Sequence, residues 1–256
     1  MQRYKAYAKV NIFLKITGTR GDYHEIVSRF MVVRSLYDVL YFQPKTDKAF
    51  KIVGEFSCTT EQNTIYKAYK ALLDATSSKV LERFMQENAI VVEKSIPAFA
   101  GLGGGSSDAA TYLKMCNKLL SLGLSDTQLA EVGLRVGADV PFFIYGYESA
   151  NVSGIGEIVE KFEEESLEIE SYTPKVEIST PKVYQAYRKD FFAPINEDEA
   201  KMLKNTLSKD IVKNLTPIEA NDLFAPALQL YPQLQQHKKE GYFFSGSGSS
   251  FFRVIF

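Results

Sequence analysis

The sequence predicts a folded chain that mixes strands with helices, and three observations carry that expectation. Residues 9–16 alternate, with Val10, Ile12, Leu14 and Ile16 on one face and Lys9, Asn11, Phe13 and Lys15 on the other, which is the period of a strand. Ala89 to Ile96, rich in apolar β-branched residues, runs into a cluster of glycines and then into Ala109 to Leu120, where Ala109, Ala110, Leu113, Cys116, Leu119 and Leu120 recur at helical spacing. Near the end, Tyr242 to Phe244 and Phe251 to Phe256 read as two strands around a second small-residue loop, Ser245 to Ser250, an arrangement that turn chemistry alone would also give an ordinary hairpin.

With 256 residues, 45% of them hydrophobic and 13% aromatic, the chain can bury a sizeable core in one large domain or two modest ones. A formal net charge of -1 gives no general reason to expect nucleic acid or an anionic membrane as partner. The two cysteines, Cys58 and Cys116, lie far apart without metal-site spacing, which argues against a disulfide framework and fits a reducing compartment. The N-terminus leads into an alternating segment rather than an apolar signal region, and no apolar run approaches ~18 residues. A soluble, cytoplasmic protein is therefore expected.

In chain order, residues 17–23 contain two glycines and an Asp and form a turn that ends at Tyr23 and His24. Ile26 to Leu36 is an apolar stretch, Val39 to Phe42 and Phe50 to Val53 are strand candidates, and 63–75 and 80–85 have the spacing of core-facing helices. After the glycines and their helix, Ser125 and Gln128 form a capping box for a further helix that stops at Gly137. Ala138-Asp139-Val140-Pro141 follows, then an apolar strand over Phe142 to Tyr145. The acidic run 157–170, with Glu163, Glu164 and Glu165 consecutive, is expected to be solvated near a boundary between two halves. Lys175 to Ile178 reads as a strand, Thr180-Pro181 opens a helix carrying Tyr184 and Tyr187, and helices are expected around 200–205 and 222–231.

The stretch Pro97-Ala98-Phe99-Ala100-Gly101-Leu102-Gly103-Gly104-Gly105-Ser106-Ser107-Asp108 organises the rest. Glycine permits positive φ and lets a bulky ligand approach the amides, while the first turn of the following helix offers unpaired N–H groups and the positive end of its dipole. Strand, bare backbone and helix start, in that order, suit a phosphate. Ser106 and Ser107 add hydroxyl donors or could cap the helix. A Walker loop would need Lys where Ser106 stands, a dinucleotide fingerprint from Gly101 would need glycine there, and the protein-kinase motifs are missing. On the residues alone, Lys9 and Asn11 could equally belong to a solvated strand face, His24 to the surface, and Asp139 to a turn in which it satisfies backbone amides.

Together, Ala8-Lys9-Val10-Asn11, Tyr23-His24, Gly101-Leu102-Gly103-Gly104-Gly105-Ser106-Ser107, Gly137-Ala138-Asp139-Val140-Pro141 and Ser245-Gly246-Ser247-Gly248 resemble the GHMP small-molecule kinases over essentially the whole chain, in the family's order. The resemblance implies an α+β fold of two domains, the first with a ribosomal-protein-like β-α-β-β topology, and a site in the cleft between them; the cut falls near 147–170, giving 1–150 and 151–256. It implies ATP, with Mg²⁺ carried by the nucleotide and no confident protein ligand for the metal. Pro97 to Ser107 would hold the triphosphate and Asn63 would lie near the adenine. Lys9 and Asp139 would be catalytic, the Asp taking a hydroxyl proton, and Asn11, Tyr23, His24, Thr180 and Tyr184 would bind substrate. Within the family, Tyr23-His24 and Gly-Ala-Asp-Val-Pro point to a cytidine diphosphate-linked methylerythritol as acceptor, Tyr23 and Tyr184 stacking on the base and His24 bonding its edge. The alternatives are a GHMP kinase for another alcohol or sugar, and a non-catalytic nucleotide- or RNA-binding module, which the balanced charge disfavours. Three departures stand out: Asp108 replaces a usual Asn and would either face away or help hold Mg²⁺, the loop 20–24 is one residue short, and Ser247 replaces a common Thr.

Overall fold

The computed structural model describes residues 2–256, and its compact units are not collinear with the chain. The first unit holds residues up to Ala8 with 36–98 and 104–146, and the second holds 9–35, 99–103 and 147–256. Two long strands contribute to both: β1 (Tyr4–Arg20) turns at Gly21 into β2 (Tyr23–Pro44), and the two pair. Gly21 takes a φ of 60° at that turn, a conformation that costs glycine little. β2 is one strand, where the sequence suggested an apolar stretch followed by a separate short strand.

In the first unit, β2 residues 39–44 pair antiparallel with β4 (Asn88–Glu93), and the short β3 (Ile52–Val53) runs parallel to β4. Between β3 and β4 come α1 (Thr64–Thr76) and α2 (Lys79–Glu87). Asn63 caps α1, its Oδ1 accepting from Ile65 N at 2.9 Å, and Ser78 caps α2. The remaining helices are α3 (Gly104–Leu119), α4 (Asp126–Leu134) and α5 (Val140–Tyr145). Apolar faces of these helices, including Ile65, Ala68, Leu72, Ala109, Leu113, Cys116 and Leu129, join Leu40, Ile90 and Val92 in one core. Burial pushes the Cys116 thiol up to about 12, so it behaves there as a small apolar side chain.

Several sequence expectations are corrected in this unit. The helix after the glycines starts at Gly104, taking two of them into its first turn, and α4 stops at Leu134 rather than Gly137. Residues 142–145 are helical, not a strand. Pro141 occupies the first turn of α5 and Gly146, at a φ of 68°, ends it with its N–H on Phe142 O, the proline-in, glycine-out pattern of a helix. A four-residue apolar run has too few periods for polarity alone to separate the two structures.

The second unit pairs β2 residues 26–31 antiparallel with β5 (Ser149–Gly154), which pairs with β6 (Ile158–Lys161). A separate sheet has the order β7 (Glu168–Tyr172), β9 (Phe251–Ile255), β8 (Phe243–Phe244), so the two C-terminal strands do form a hairpin. Its helices are α6 (Thr180–Ala186), α7 (Glu197–Asn205), α8 (Ser208–Asn214), α9 (Pro217–Ala220) and α10 (Phe224–Leu230). Residues 175–178 lie outside any strand; Ile178 nonetheless packs in the core with Val183, Leu223, Phe224, Phe244 and Phe251.

The acidic run is solvated only in part. Glu163 and Glu165 are exposed, but the Glu164 side chain is 4% exposed and faces Arg29, which is fully buried on β2. Arg29 Nε donates to Asn151 Oδ1 at 2.8 Å, Nη1 to Ser208 Oγ at 3.2 Å and Glu164 Oε1 at 3.3 Å, and Nη2 to the Lys204 carbonyl at 2.9 Å at the end of α7. Its guanidinium carbon lies 3.4 Å from the Phe162 ring centroid. Burial lowers its pKa to about 10, with Glu164 opposing the shift, so the group stays charged at neutral pH. Removing one member of such a network strands the other charge and the α7 carbonyls. Arg29→Ala should therefore lower unfolding stability by about 3–5 kcal/mol, whereas Arg29→Met with Glu164→Leu should lose clearly less; urea denaturation of both variants checks the ordering.

Candidate functional site

β1 carries Lys9 and Asn11 on its polar face, and the structure buries that face instead of solvating it. Lys9 is 4% and Asn11 2% exposed. Lys9 Nζ donates to Asn11 Oδ1 at 2.7 Å and sits 4.2 Å from the Phe30 ring centroid, and Asn11 Nδ2 donates to Ser28 Oγ at 2.9 Å. Buried charges persist only where such partners hold them. The Asn11 side chain is thus oriented from both ends and fixes the Lys9 ammonium from one side. Ser28 is one of four polar residues in the 26–36 stretch, with Arg29, Arg34 and Ser35, and nothing local in the sequence tied it to Asn11.

Residues 99–103 are fastened to the second small-residue loop. Ser250 N donates to Ala100 O at 3.1 Å, Ser245 Oγ to Gly101 O at 3.0 Å, and Lys9 N to Leu102 O at 3.0 Å. Gly101 has a φ of 73°, and a Cβ there would lie 2.2 Å from the Ser245 carbonyl oxygen, so no side chain fits. A Cβ on Gly246 would lie 3.4 Å from Asn11 Oδ1. Lys9, Asn11, the first half of the glycine stretch and residues 245–250 therefore form one hydrogen-bonded cluster. Phe99 within it is 62% exposed at a φ of 53°; Pro97 and Ala98 are exposed and Gly103 is half-buried.

In the first unit, α3 presents its opening turn. Gly105 O accepts from Thr64 Oγ1 at 2.7 Å, which ties that turn to α1 just after the Asn63 cap. A Cβ on Gly104 would meet Ile96 Cγ2 at 2.8 Å, so the helix start also needs a bare backbone against β4's exit. Ser106 is half-buried and Ser107 buried. A Cβ on Gly137 would lie 3.7 Å from Ser106 Oγ, so the segment leading to Asp139 runs beside the α3 start. Asp139 immediately precedes α5 and makes no side-chain capping bond to it.

Asp108 does not face the first turn's open end. It is 2% exposed and its Oδ2 accepts from Lys94 Nζ at 2.8 Å, while the same ammonium donates to Asp38 Oδ2 at 2.5 Å. Burial pushes the Asp108 carboxyl up to about 7, against the lowering effect of Lys94. Lys94 and Asp38 carried no signal in the sequence that would have joined them to Asp108. Groups of three or more His, Cys, Asp or Glu able to hold a metal do not occur among the described residues.

Tyr23, His24, Thr180 and Tyr184 come together, as the sequence suggested, in a cavity of about 350 Å³ that Asp22, Ile155 and Arg188 also line. The His24 and Tyr184 ring centroids are 5.1 Å apart at an interplanar angle of 37°, and Tyr187 meets the His24 ring edge-on at 5.8 Å. His24 is 8% exposed, and burial first and the nearby Arg188 second lower its pKa, so the imidazole is neutral at neutral pH. Its Nε2 is buried with no hydrogen-bond partner, a state that costs about 1–3 kcal/mol until a ligand or water supplies one. Tyr23 is 64% exposed at the rim. Thr180, at the start of α6, exchanges a 2.6 Å hydrogen bond with Ser247, joining this cavity to the second small-residue loop.

The architecture and these clusters can be set beside known proteins. Residues 63–147 match the GHMP kinases N terminal domain. The 4-diphosphocytidyl-2-C-methyl-D-erythritol kinase of Sulfurimonas denitrificans is 64% identical over 99% of this chain and 97% of its own length, and that of Helicobacter pylori is 42% identical over 98% and 93%. A crystal structure of 4-(cytidine 5'-diphospho)-2C-methyl-D-erythritol kinase superposes with a TM-score of 0.75 at 30% identity, covering 99% of this chain and 90% of the other. A mevalonate kinase shares the fold, with a TM-score of 0.64 at 14% identity. Helices long and apolar enough to cross a membrane are absent among the described residues. Full-length identity at this level, with the same motifs in the same order, shows that the chain belongs to the 4-diphosphocytidyl-2-C-methyl-D-erythritol kinase family of GHMP kinases.

Proposed function

We propose that the chain transfers the γ-phosphoryl group of ATP to the 2-hydroxyl of 4-diphosphocytidyl-2-C-methyl-D-erythritol, a step of non-mevalonate isoprenoid precursor synthesis. The observation that carries the acceptor is the His24 cavity: a neutral imidazole with an unpaired buried nitrogen, set among Tyr23, Tyr184 and Thr180, suits a flat base with polar edges. An alcohol without a base would leave that nitrogen unpaired and the rings unused. Base stacking on such rings is worth about 1–3 kcal/mol.

In this reading Asp139 accepts the hydroxyl proton and Lys9, held by Asn11, offsets negative charge on the transferring group. Phosphoryl transfer passes through a loose transition state in which the hydroxyl loses its proton late, so orientation of the carboxylate matters more than its basicity. The bare amides of residues 101–105 and the α3 start, with Ser106 and Ser107, take the triphosphate, and Asn63 stands beside the adenine. We assign residues 1–150 to the nucleotide-binding domain and 151–256 to the C-terminal one. Mg²⁺ travels with the nucleotide on phosphate oxygens and water, as this hard ion prefers. Asp108 does not fit as its ligand, because that carboxyl is already engaged by Lys94 away from solvent.

ATP consumption measured with the cytidyl substrate, mevalonate and homoserine in parallel should show turnover with the first only; turnover with another alcohol overturns the acceptor. Asp139→Asn should lower kcat by about 10²–10⁴-fold with little change in either KM, and a variant that turns over at the wild-type rate removes Asp139 as base. His24→Ala should raise KM for the cytidyl substrate by about tenfold or more while KM for ATP stays put; steady-state kinetics with each substrate varied in turn separates the two.

A further inference from the structure

Asp108 is a buried acid that the proposed chemistry does not use, and its surroundings are unusual. Three charged groups meet behind the α3 start: Asp38 from β2, Lys94 just after β4, and Asp108 on α3 itself. Asp38 is fully buried and its Oδ1 also accepts from Ser95 N at 2.5 Å and Ile96 N at 2.8 Å, so it is anchored on the backbone that leads into the glycine stretch. Asp108 has no such anchor. Its Oδ2 holds Lys94, and its Oδ1 is buried with no hydrogen-bond partner.

The cluster touches the phosphate-facing backbone through Lys94. A Cβ on Gly104, the first residue of α3, would lie 3.7 Å from Lys94 Nζ, and the Lys94 side chain is the one member with access to solvent, at 19%. Its ammonium has three protons, of which two are given to the carboxylates. The charge that this corner shows to an anion at the helix start is therefore set by how many of the two carboxyls are ionised: none in net when Asp108 is protonated, one negative when it is not. Among the described residues, the ion pairs of Asp108 and Asp38 are those with Lys94. α5 carries no charged residue, and Lys67, Lys70 and Asp74 of α1 make no ion pair with Asp108.

We infer that Asp108 is a positioning residue that sets ATP affinity through Lys94, its ionisation weakening the hold on the nucleotide phosphates. This rests on the kinase reading above. The sense of the effect follows from Coulomb's law: an added negative charge in a partly buried corner behind the α3 start opposes the binding of a polyanion there by a few-fold. An Asn at 108 keeps the shape of the protonated acid and offers Lys94 the same kind of acceptor oxygen, but cannot ionise.

The same carboxyl reports on itself through stability. Its pKa is about 7 in the folded chain against about 3.9 unfolded. The raised folded value means that its contribution is present in full below about pH 4 and is lost as pH rises through about 7. Wild type and Asp108→Asn are compared by urea denaturation from pH 5 to 8.5, and by KM for ATP over the same range with the cytidyl substrate saturating. The stability of wild type relative to the variant should fall from pH 5 and level off above 7, and the ratio of wild-type to variant KM for ATP should rise from near one at pH 6 to about three- to tenfold at pH 8.5, with kcat little altered. Taking the ratio cancels the titration of ATP itself. Superimposable stability profiles would show that Asp108 does not titrate there, and a flat KM ratio with divergent stability would show that its charge is not felt by the nucleotide; either overturns the inference. Failure of both proteins to consume ATP with the cytidyl substrate would instead count against the kinase reading.

Discussion

The Ser245 carbonyl occupies the space that any side chain at position 101 would need. That close approach lets Ser245 Oγ, Ser250 N and Lys9 N bond three successive carbonyls of the glycine stretch, those of Gly101, Ala100 and Leu102. The strand bearing Lys9 and Asn11 and the loop near the end of the chain are joined through the same few atoms. These backbone groups are held by the protein itself, so a ligand of this stretch would meet a backbone that is already ordered. A flexible linker would have the same composition and none of these bonds.

The two halves of the glycine stretch differ in how their backbone groups are met. The carbonyls of residues 100–102 meet partners far away in sequence, whereas 104–107 belong to a helix whose first amides have no carbonyl of their own to meet. The glycines accordingly split into two duties. Gly101 permits contact with another backbone, and Gly104 permits a helix to begin against Ile96.

Much of this was legible in the sequence because the signals were local. The strand–glycine–helix order, the capping box at Ser125 and Gln128, and the alternation of 9–16 each depend on neighbours a few residues away. The pocket residues Tyr23, His24, Thr180 and Tyr184 were named from a resemblance and converge in space. What the sequence hid was long-range or too short to have a period. Phe142 to Tyr145 formed a helix through its flanking proline and glycine, not through polarity. Glu164 looked like one of three solvated acids until Arg29, 135 positions earlier, supplied its partner. Asp108 likewise acquired its character from Lys94 and Asp38, residues that no spacing rule connects to it.

The hairpin tip at Gly21 has open space around its α-carbon, with nothing within 4 Å of where a Cβ would stand. The strands below it take their alignment from ladders farther along, such as Ile26 with Gly154. A residue gained or lost at the tip would move Tyr23 over the neighbouring cavity and would disturb the 3.0 Å hydrogen bond that Arg188 donates to the Gly21 carbonyl, while the ladder farther along stayed in register. The rim of that cavity can thus change with the length of the turn while the ladder fixes the strand beneath it.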